Sequence, residues 1–266
     1  MEMSFEKVTG KKIYRKQTFC IIGPPKVGKS SLLEDDRSLY LDIEGGLSHL
    51  SVTKFPKDRP FLDYEELEGV VDNLVATYQA GKFPKHIDTV VVDTATRFSA
   101  LAGYKAIDIM NKKFNKEWIT LEEITIGGDK GSPGWSCRTN LVDGILGKLK
   151  QLGCAIWIIA HNENKKVKNE VNVDIEKNTI DIGGQLGKGF LRYSDHILNI
   201  VAKTTPDGII TRTVRCMNTA TIEAGSRGLC LPSSWVMTNP EARTPEAMSK
   251  ANKINFEFIR GHFSAE

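Results

Sequence analysis

A chain of 266 residues, 40% hydrophobic and 26% charged, holds ordinary material for a packed globular core. No apolar run approaches the ~20 residues of a membrane helix, and Met1–Lys7 lacks the apolar centre of a signal peptide, so no membrane partner is expected. A net charge of +3 is too small to imply nucleic acid by itself, and five scattered cysteines without a C-x-x-C pair argue against a zinc site and for reduced thiols in a cytoplasm.

Residues 1–17 read as a basic lead-in, with Lys7, Lys11, Lys12, Arg15 and Lys16, and as a solvated arm. Thr18–Ile22 is a buried strand that runs into a glycine-rich loop and a short helix opening at Ser31, Leu32 and Leu33. Ser38–Ile43 is a second strand, and residues 50–62, with Pro56 and Pro60, form a loop. From Asp63 to Gln79 the apolar positions Tyr64, Leu67, Val70, Val71, Leu74, Val75 and Tyr78 recur at helical spacing, and Gly81 stops the helix. Ile87–Val92 is a strand apolar on both faces. Helical patterns cover 95–117 and 139–152, and Ala155–Ala160 is a fourth buried strand. Further strands are expected at 196–202 and 209–217, and a closing helix at 244–260. The alternation predicts an α/β fold: a mostly parallel central sheet with helices on both faces and a β-rich C-terminal end. The divisions expected are the lead-in at 1–17, a core at 18–240 and a C-terminal helix and tail at 241–266.

Gly23-Pro24-Pro25-Lys26-Val27-Gly28-Lys29-Ser30 matches G-x-x-x-x-G-K-[ST] at every fixed position, between a strand and a helix as the motif requires. Its glycines let successive N–H groups point into one concavity, and the following helix adds partial positive charge. Pro24 and Pro25 have no N–H, so the cradle uses the amides from about Val27 to Ser31. Gly23, Lys26, Val27, Gly28, Lys29, Ser30 and Ser31 therefore line the phosphate site, Lys29 reaches the β- and γ-phosphates of ATP, and the Ser30 hydroxyl holds Mg²⁺.

Ligands in such sheets bind at the carboxyl ends of the strands, so the polar residues there carry information. Asp93 ends the strand Thr89–Val92 and would hold Mg²⁺ through a water; a capping Asp is the alternative. Glu44 follows the second strand, placed to take a proton from attacking water; a surface carboxylate beside Gly45 and Gly46 is the alternative. His161 ends the fourth strand, either sensing the γ-phosphate or serving structure.

Taken in chain order, the loop Gly23–Ser30, the strand leading to Glu44 and Gly45-Gly46, the strand ending in Asp93 and the strand ending in His161 resemble a RecA-type P-loop ATPase core, and in particular the small phage-encoded ATPases of the Sak recombination group. The resemblance covers roughly residues 18–235. It implies that Glu44 activates water and that His161, where RecA itself has Gln, relays nucleotide state. It implies single-stranded DNA contacts from a glycine loop at 126–135, with Lys130, and from a second loop at 162–185 with Lys165, Lys166 and Lys168, followed by Lys188. Arg227, with Arg215 second to it, is the implied arginine finger for a neighbour's site. The implied partners are single-stranded DNA, further copies in a ring or filament, and a single-strand-binding protein, in the host cytoplasm for a phage protein. ATP hydrolysis would then serve recombination, annealing or repair. A ring-shaped replicative helicase is an alternative, disfavoured by the lack of an extra N-terminal domain. A small-molecule kinase would need an Arg-rich lid. A GTPase would want N-K-x-D, and Asn111-Lys112-Lys113-Phe114 lacks the Asp.

Overall fold

The computed structural model describes residues 12–264 apart from 131, 169–171, 205, 207–209 and 241–243. Lys7 and Lys11 lie outside the described residues. In chain order the elements begin with β1 (Thr18–Gly23), β2 (Ser38–Asp42), β3 (Thr53–Phe55), α1 (Tyr64–Gln79) and β4 (Thr89–Asp93). There follow α2 (Ala95–Phe114), the small hairpin β5 (Thr125–Ile126) and β6 (Asp129–Lys130), α3 (Ser132–Lys150), β7 (Ala155–Lys168) and β8 (Asp174–Ile180). The chain closes with α4 (Gly184–Tyr193), β9 (His196–Thr204), β10 (Ile210–Arg215), β11 (Gly225–Ser226), β12 (Ser234–Val236) and α5 (Pro245–Arg260).

The main sheet has the order β12-β10-β9-β1-β7-β4-β2-β3, with β11 on β9 and β8 on β7. Six strands from β9 to β3 run parallel, and β10 and β12 add an antiparallel end. Alternation along each strand sorts its side chains between two cores. Cys20 and Ile22 of β1, with Ile156 and Ile158 of β7, face the layer of α1 to α4. Phe19, Ile21, Trp157 and Ile159 face the layer closed by α5.

Local signals explain the helix limits. Asp63 accepts from the Glu66 amide at the start of α1, and Thr94 accepts from the Arg97 amide at the start of α2. Asn115, left-handed at φ 50°, ends α2.

The structure departs from the sequence reading in five places. Residues 12–17 are not a free arm: Tyr14 is buried, its hydroxyl bonds Thr89 Oγ1 and accepts from Trp157 Nε1, and Ile13 pairs with Ser264. The segment after Ser30 is a single 3-10 turn, Ser31–Leu33, rather than an α-helix. Residues 50–62 contain β3, an edge strand on β2 too short to leave a periodic signature. Helix α3 starts within the supposed glycine loop; Gly134 is there for packing, since a Cβ would lie 2.7 Å from Ile124 Cδ1. The second supposed loop is the hairpin β7–β8, Asn162↔Ile180 to Lys168↔Asp174, followed by α4. Gly187 hides α4 in the sequence, yet a Cβ there would fall 2.0 Å from the Ile182 carbonyl oxygen, so the helix requires it.

Candidate active site

Parallel register brings the polar strand ends to one edge. Gly23 pairs with His161, Asp93 with Ile159, and Asp42 with Asp93. The loop after β1 turns with Lys26 at φ 62° and Gly28 at φ 94°. Gly23 has no room for a side chain, because a Cβ would lie 3.0 Å from the Ile200 carbonyl oxygen and 3.1 Å from Val27 Cγ1. Val27 is buried and pins the loop to the core, while Lys26 is exposed.

Lys29 is buried and folds back across the loop, donating from Nζ to the Gly23 and Pro24 carbonyls at 2.8 Å each. Burial lowers its pKa to about 8, against the opposing pull of Asp93 and Glu44. Ser30 Oγ donates to Asp93 Oδ2 at 2.8 Å, and the Ser30 carbonyl accepts from the Tyr40 hydroxyl at 2.8 Å. Burial raises Asp93 to about 6; the negative charges of Glu44 and Asp42 add to this, while Ser30 and Lys29 oppose it. Hydroxyl and carboxylate are thus already side by side where the sequence places both metal contacts. Among the described residues no group of three His, Cys, Asp or Glu could hold a metal. A hydroxyl, one carboxylate, waters and phosphate oxygens suit Mg²⁺, which needs no all-protein cage.

Glu44 Oε2 accepts from Thr94 Oγ1 at 2.8 Å and lies 3.4 Å from His161 Nε2. The turn carrying it is held from below. Asp42 Oδ1 accepts from the Gly45 amide at 2.8 Å, its Oδ2 accepts from Lys54 Nζ at 2.7 Å, and the Ile43 amide donates to the Asp93 carbonyl at 2.7 Å. His161 Nδ1 is buried without a partner among the described residues. The sequence reading named Ser30, Asp93, Glu44 and His161 but missed their supports: Tyr40 on the Ser30 carbonyl, Thr94 on Glu44, and Asp42 with Lys54 under the turn that carries Glu44. Only Asp42 and Thr94 had a signal, as polar residues at buried strand ends.

β1 and β4 are separated by β7, and a buried Lys, a Ser–Asp pair and a Glu converge beside the loop. A family model described as an AAA domain matches residues 15–228. The chain belongs to the AAA domain family. It is therefore a P-loop NTPase-type domain, and nucleotide-binding ATPase activity is the function the family carries. A comparison with curated proteins gives no match. No helix among the described residues is long and apolar enough to cross a membrane.

Among the described residues, the remaining predicted residues of this AAA domain share no hydrogen bond or ion pair with that cluster. Arg227 Nη1 approaches Asp195 Oδ1 at 3.3 Å and its Nη2 donates to the Arg192 carbonyl at 2.8 Å. Asp195 flanks Thr18 at the start of β1, so Arg227 sits at the opposite sheet edge from its own P-loop. Arg215 ends β10, with its Nε buried and unpartnered among the described residues. Lys165, Lys166 and Lys168 are on β7, Lys130 is in β6 and Lys188 is in α4. Lys165 pairs with Glu163, whereas Lys166 and Lys168 are exposed on the other face of the strand.

Proposed function

We propose that this AAA domain is a RecA-type ATPase that assembles on single-stranded DNA and serves recombination or annealing, as in the Sak group of phage proteins. One observation carries the reading. Strand β7 passes His161 beside Glu44 and continues without a break into the hairpin that bears Lys165, Lys166 and Lys168. A change at the γ-phosphate can thereby reach the exposed Lys166 and Lys168 along one continuous strand.

The chemistry assigned to the chain's own groups is as follows. The amides from Val27 to Ser31 bind the phosphates, and Lys29 leaves its two carbonyls to neutralise charge on the transferring group. Ser30 and Asp93 are the protein groups for Mg²⁺, which when bound offsets charge on the β- and γ-oxygens. Glu44, oriented by Thr94, takes the proton of the attacking water, and His161 Nε2 follows that carboxylate. Arg227 cannot serve its own site from the far sheet edge, so it acts on a neighbouring copy.

A groove of about 790 Å³ between the starts of α3 and α4 supports DNA as the polymer. It is lined by Trp135, Arg138, Gly183, Gly184 and Gln185 among others, and the Arg138 guanidinium lies 4.3 Å from the centre of the Trp135 ring. An exposed indole gives a base a stacking face, and glycine backbone lets a strand approach closely. The test is ATP turnover with no DNA, with single strands and with duplex. Stimulation by single strands that also rises with protein concentration is expected. Turnover indifferent to DNA and to protein concentration would overturn the proposal while leaving an ATPase.

A further inference from the structure

This P-loop is poor in the positive potential that such loops ordinarily collect. Two of its residues are prolines without N–H groups, and a three-residue 3-10 turn replaces the α-helix whose aligned dipoles would face the phosphates. An arginine from another part of the chain lies against the loop instead. Arg212, on β10, places Nη1 where a Cβ on Gly28 would be only 2.7 Å away. Gly28 is thus needed twice, for its φ of 94° and for the guanidinium beside it.

The guanidinium is held in a fixed orientation. Its Nε and Nη2 both donate to Asn239 Oδ1, at 3.3 and 3.2 Å, and Asn239 Nδ2 donates to the Ile210 carbonyl at 3.0 Å. That last bond turns the amide oxygen, and not its nitrogen, towards the arginine. The Arg212 carbonyl accepts from the Met237 amide at 2.8 Å, which ties β10 to β12 at this point. Among the described residues Nη1 alone is left without an acceptor and no carboxylate pairs with Arg212. Burial also disfavours its charged form, with no acid to compensate. A half-buried cation that is oriented, unpaired and in contact with a phosphate-binding glycine is prepared for an anion.

We propose that Arg212 is a nucleotide-binding residue, donating from Nη1 to the phosphate chain held by the P-loop of its own chain. The inference rests on the nucleotide-binding reading of that loop and adds to it a ligand group from the antiparallel end of the sheet. Arg212 differs in role from Arg227: it serves in cis and contributes to binding, so its effect needs no neighbouring copy.

The experiment is calorimetric titration of the full chain with ATP, ADP, adenosine and inorganic tripolyphosphate. The variants are Arg212→Met, Arg212→Lys, Asn239→Leu and Lys29→Met. Arg212→Met keeps the stem and removes the fork, so ATP, ADP and tripolyphosphate should all weaken by about tenfold or more. Arg212→Lys should fall between Met and wild type. Asn239→Leu, which only frees the guanidinium, should lose a few-fold, and it reads the proposal if Arg212→Met does not fold. Equal loss for ATP and tripolyphosphate supports the phosphate contact. Loss for the adenosine ligands with tripolyphosphate unchanged would make Arg212 a base contact and overturn it. Wild-type affinity in Arg212→Met or, should that not fold, in both Arg212→Lys and Asn239→Leu, while Lys29→Met binds nothing, would overturn Arg212 alone. A wild-type chain that binds neither ATP nor tripolyphosphate would overturn the nucleotide reading itself.

Discussion

The two halves of β7 differ more from each other than either differs from its neighbours. From Ala155 to Ala160 the strand is buried, flanked by β1 and β4, and delivers His161 to a cluster in which nearly every polar group is already bonded. From Asn162 onward, among the described residues, it pairs only with β8, and Lys166 and Lys168 stand exposed without an ion-pair partner. Buried charge must be matched by named partners, so the first half specifies a geometry. Exposed charge on a two-stranded ribbon is free to meet a flexible polyanion. One half holds the candidate site, and the other presents the exposed charge that the proposed DNA contact would use.

The largest effect that sharpens this contrast is expected at Glu44. Its carboxylate is positioned by Thr94 at 2.8 Å and by a turn that Asp42 and Gly45 hold from below. Glu44→Gln preserves that shape and still accepts from Thr94, but it cannot take a proton. Turnover should fall by about 10²–10⁴, the usual contribution of a positioned base. Nucleotide affinity should stay near wild type, because the phosphate cradle is untouched. Single-turnover kinetics alongside binding would separate the two; a variant that loses affinity and keeps its rate per bound nucleotide would make Glu44 part of the binding site only.

The same contrast decides what could be read without coordinates. The loop motif placed Lys29 and Ser30, while buried strands declare themselves as apolar runs whose polar ends lie at the carboxyl edge, so the positions of Asp93, Glu44 and His161 were legible too. The supports were not. Lys54 reaches Asp42 from a three-residue edge strand, and the Tyr40 hydroxyl emerges from the middle of a buried one. Neither position leaves a pattern. Glycines misled: they read as loop at 183–189, where α4 forms, because close packing against Ile182 leaves the same mark as a turn. Arg212 and Arg227 are exposed-type residues on late elements, and their places follow only from register across the sheet.

A smaller effect should appear at Asp93, in the absence of metal and nucleotide. Its pKa is raised to about 6 by burial and by its acidic neighbours, above the ordinary carboxylate value of 3.8. A group whose folded pKa is raised favours the fold when protonated. That contribution is complete below the unfolded value and is lost as pH rises through about 6. At pH 7.5 the ionised Asp93 therefore costs the empty protein roughly 2–3 kcal/mol. Asp93→Asn, neutral at every pH, should melt at a higher temperature than wild type at pH 7.5, with the gap closing towards pH 4. It should also lose the stabilisation that Mg²⁺ with ATP gives wild type. A melting difference that does not change with pH would mean that the buried carboxylate is not strained by its charge. The partnered half of the comparison would then carry no such cost.

The smallest effect tests the exposed half. Lys166 and Lys168 share one face of β7, opposite Glu176 and Asp174 in register, while Lys165 is on the other face and engaged by Glu163. In the proposed DNA contact the three lysines are therefore not equivalent. Each phosphate contact to a single strand releases counterions and contributes about 0.7 to the slope of log affinity against log salt. Replacing Lys166 and Lys168 together by Ala should flatten that slope by roughly 1.4. Lys165→Ala should change it little, because its charge is already met by Glu163. Fluorescence titration with a labelled oligonucleotide at several salt concentrations gives both numbers. Equal slopes for the double variant and wild type would mean that the cross-strand carboxylates already neutralise these lysines. The proposed DNA contact would then rest on the groove between α3 and α4 alone. A large change from Lys165 would instead place the strand on the Glu163 face of the ribbon, where the acid would have to turn away as the phosphate arrived.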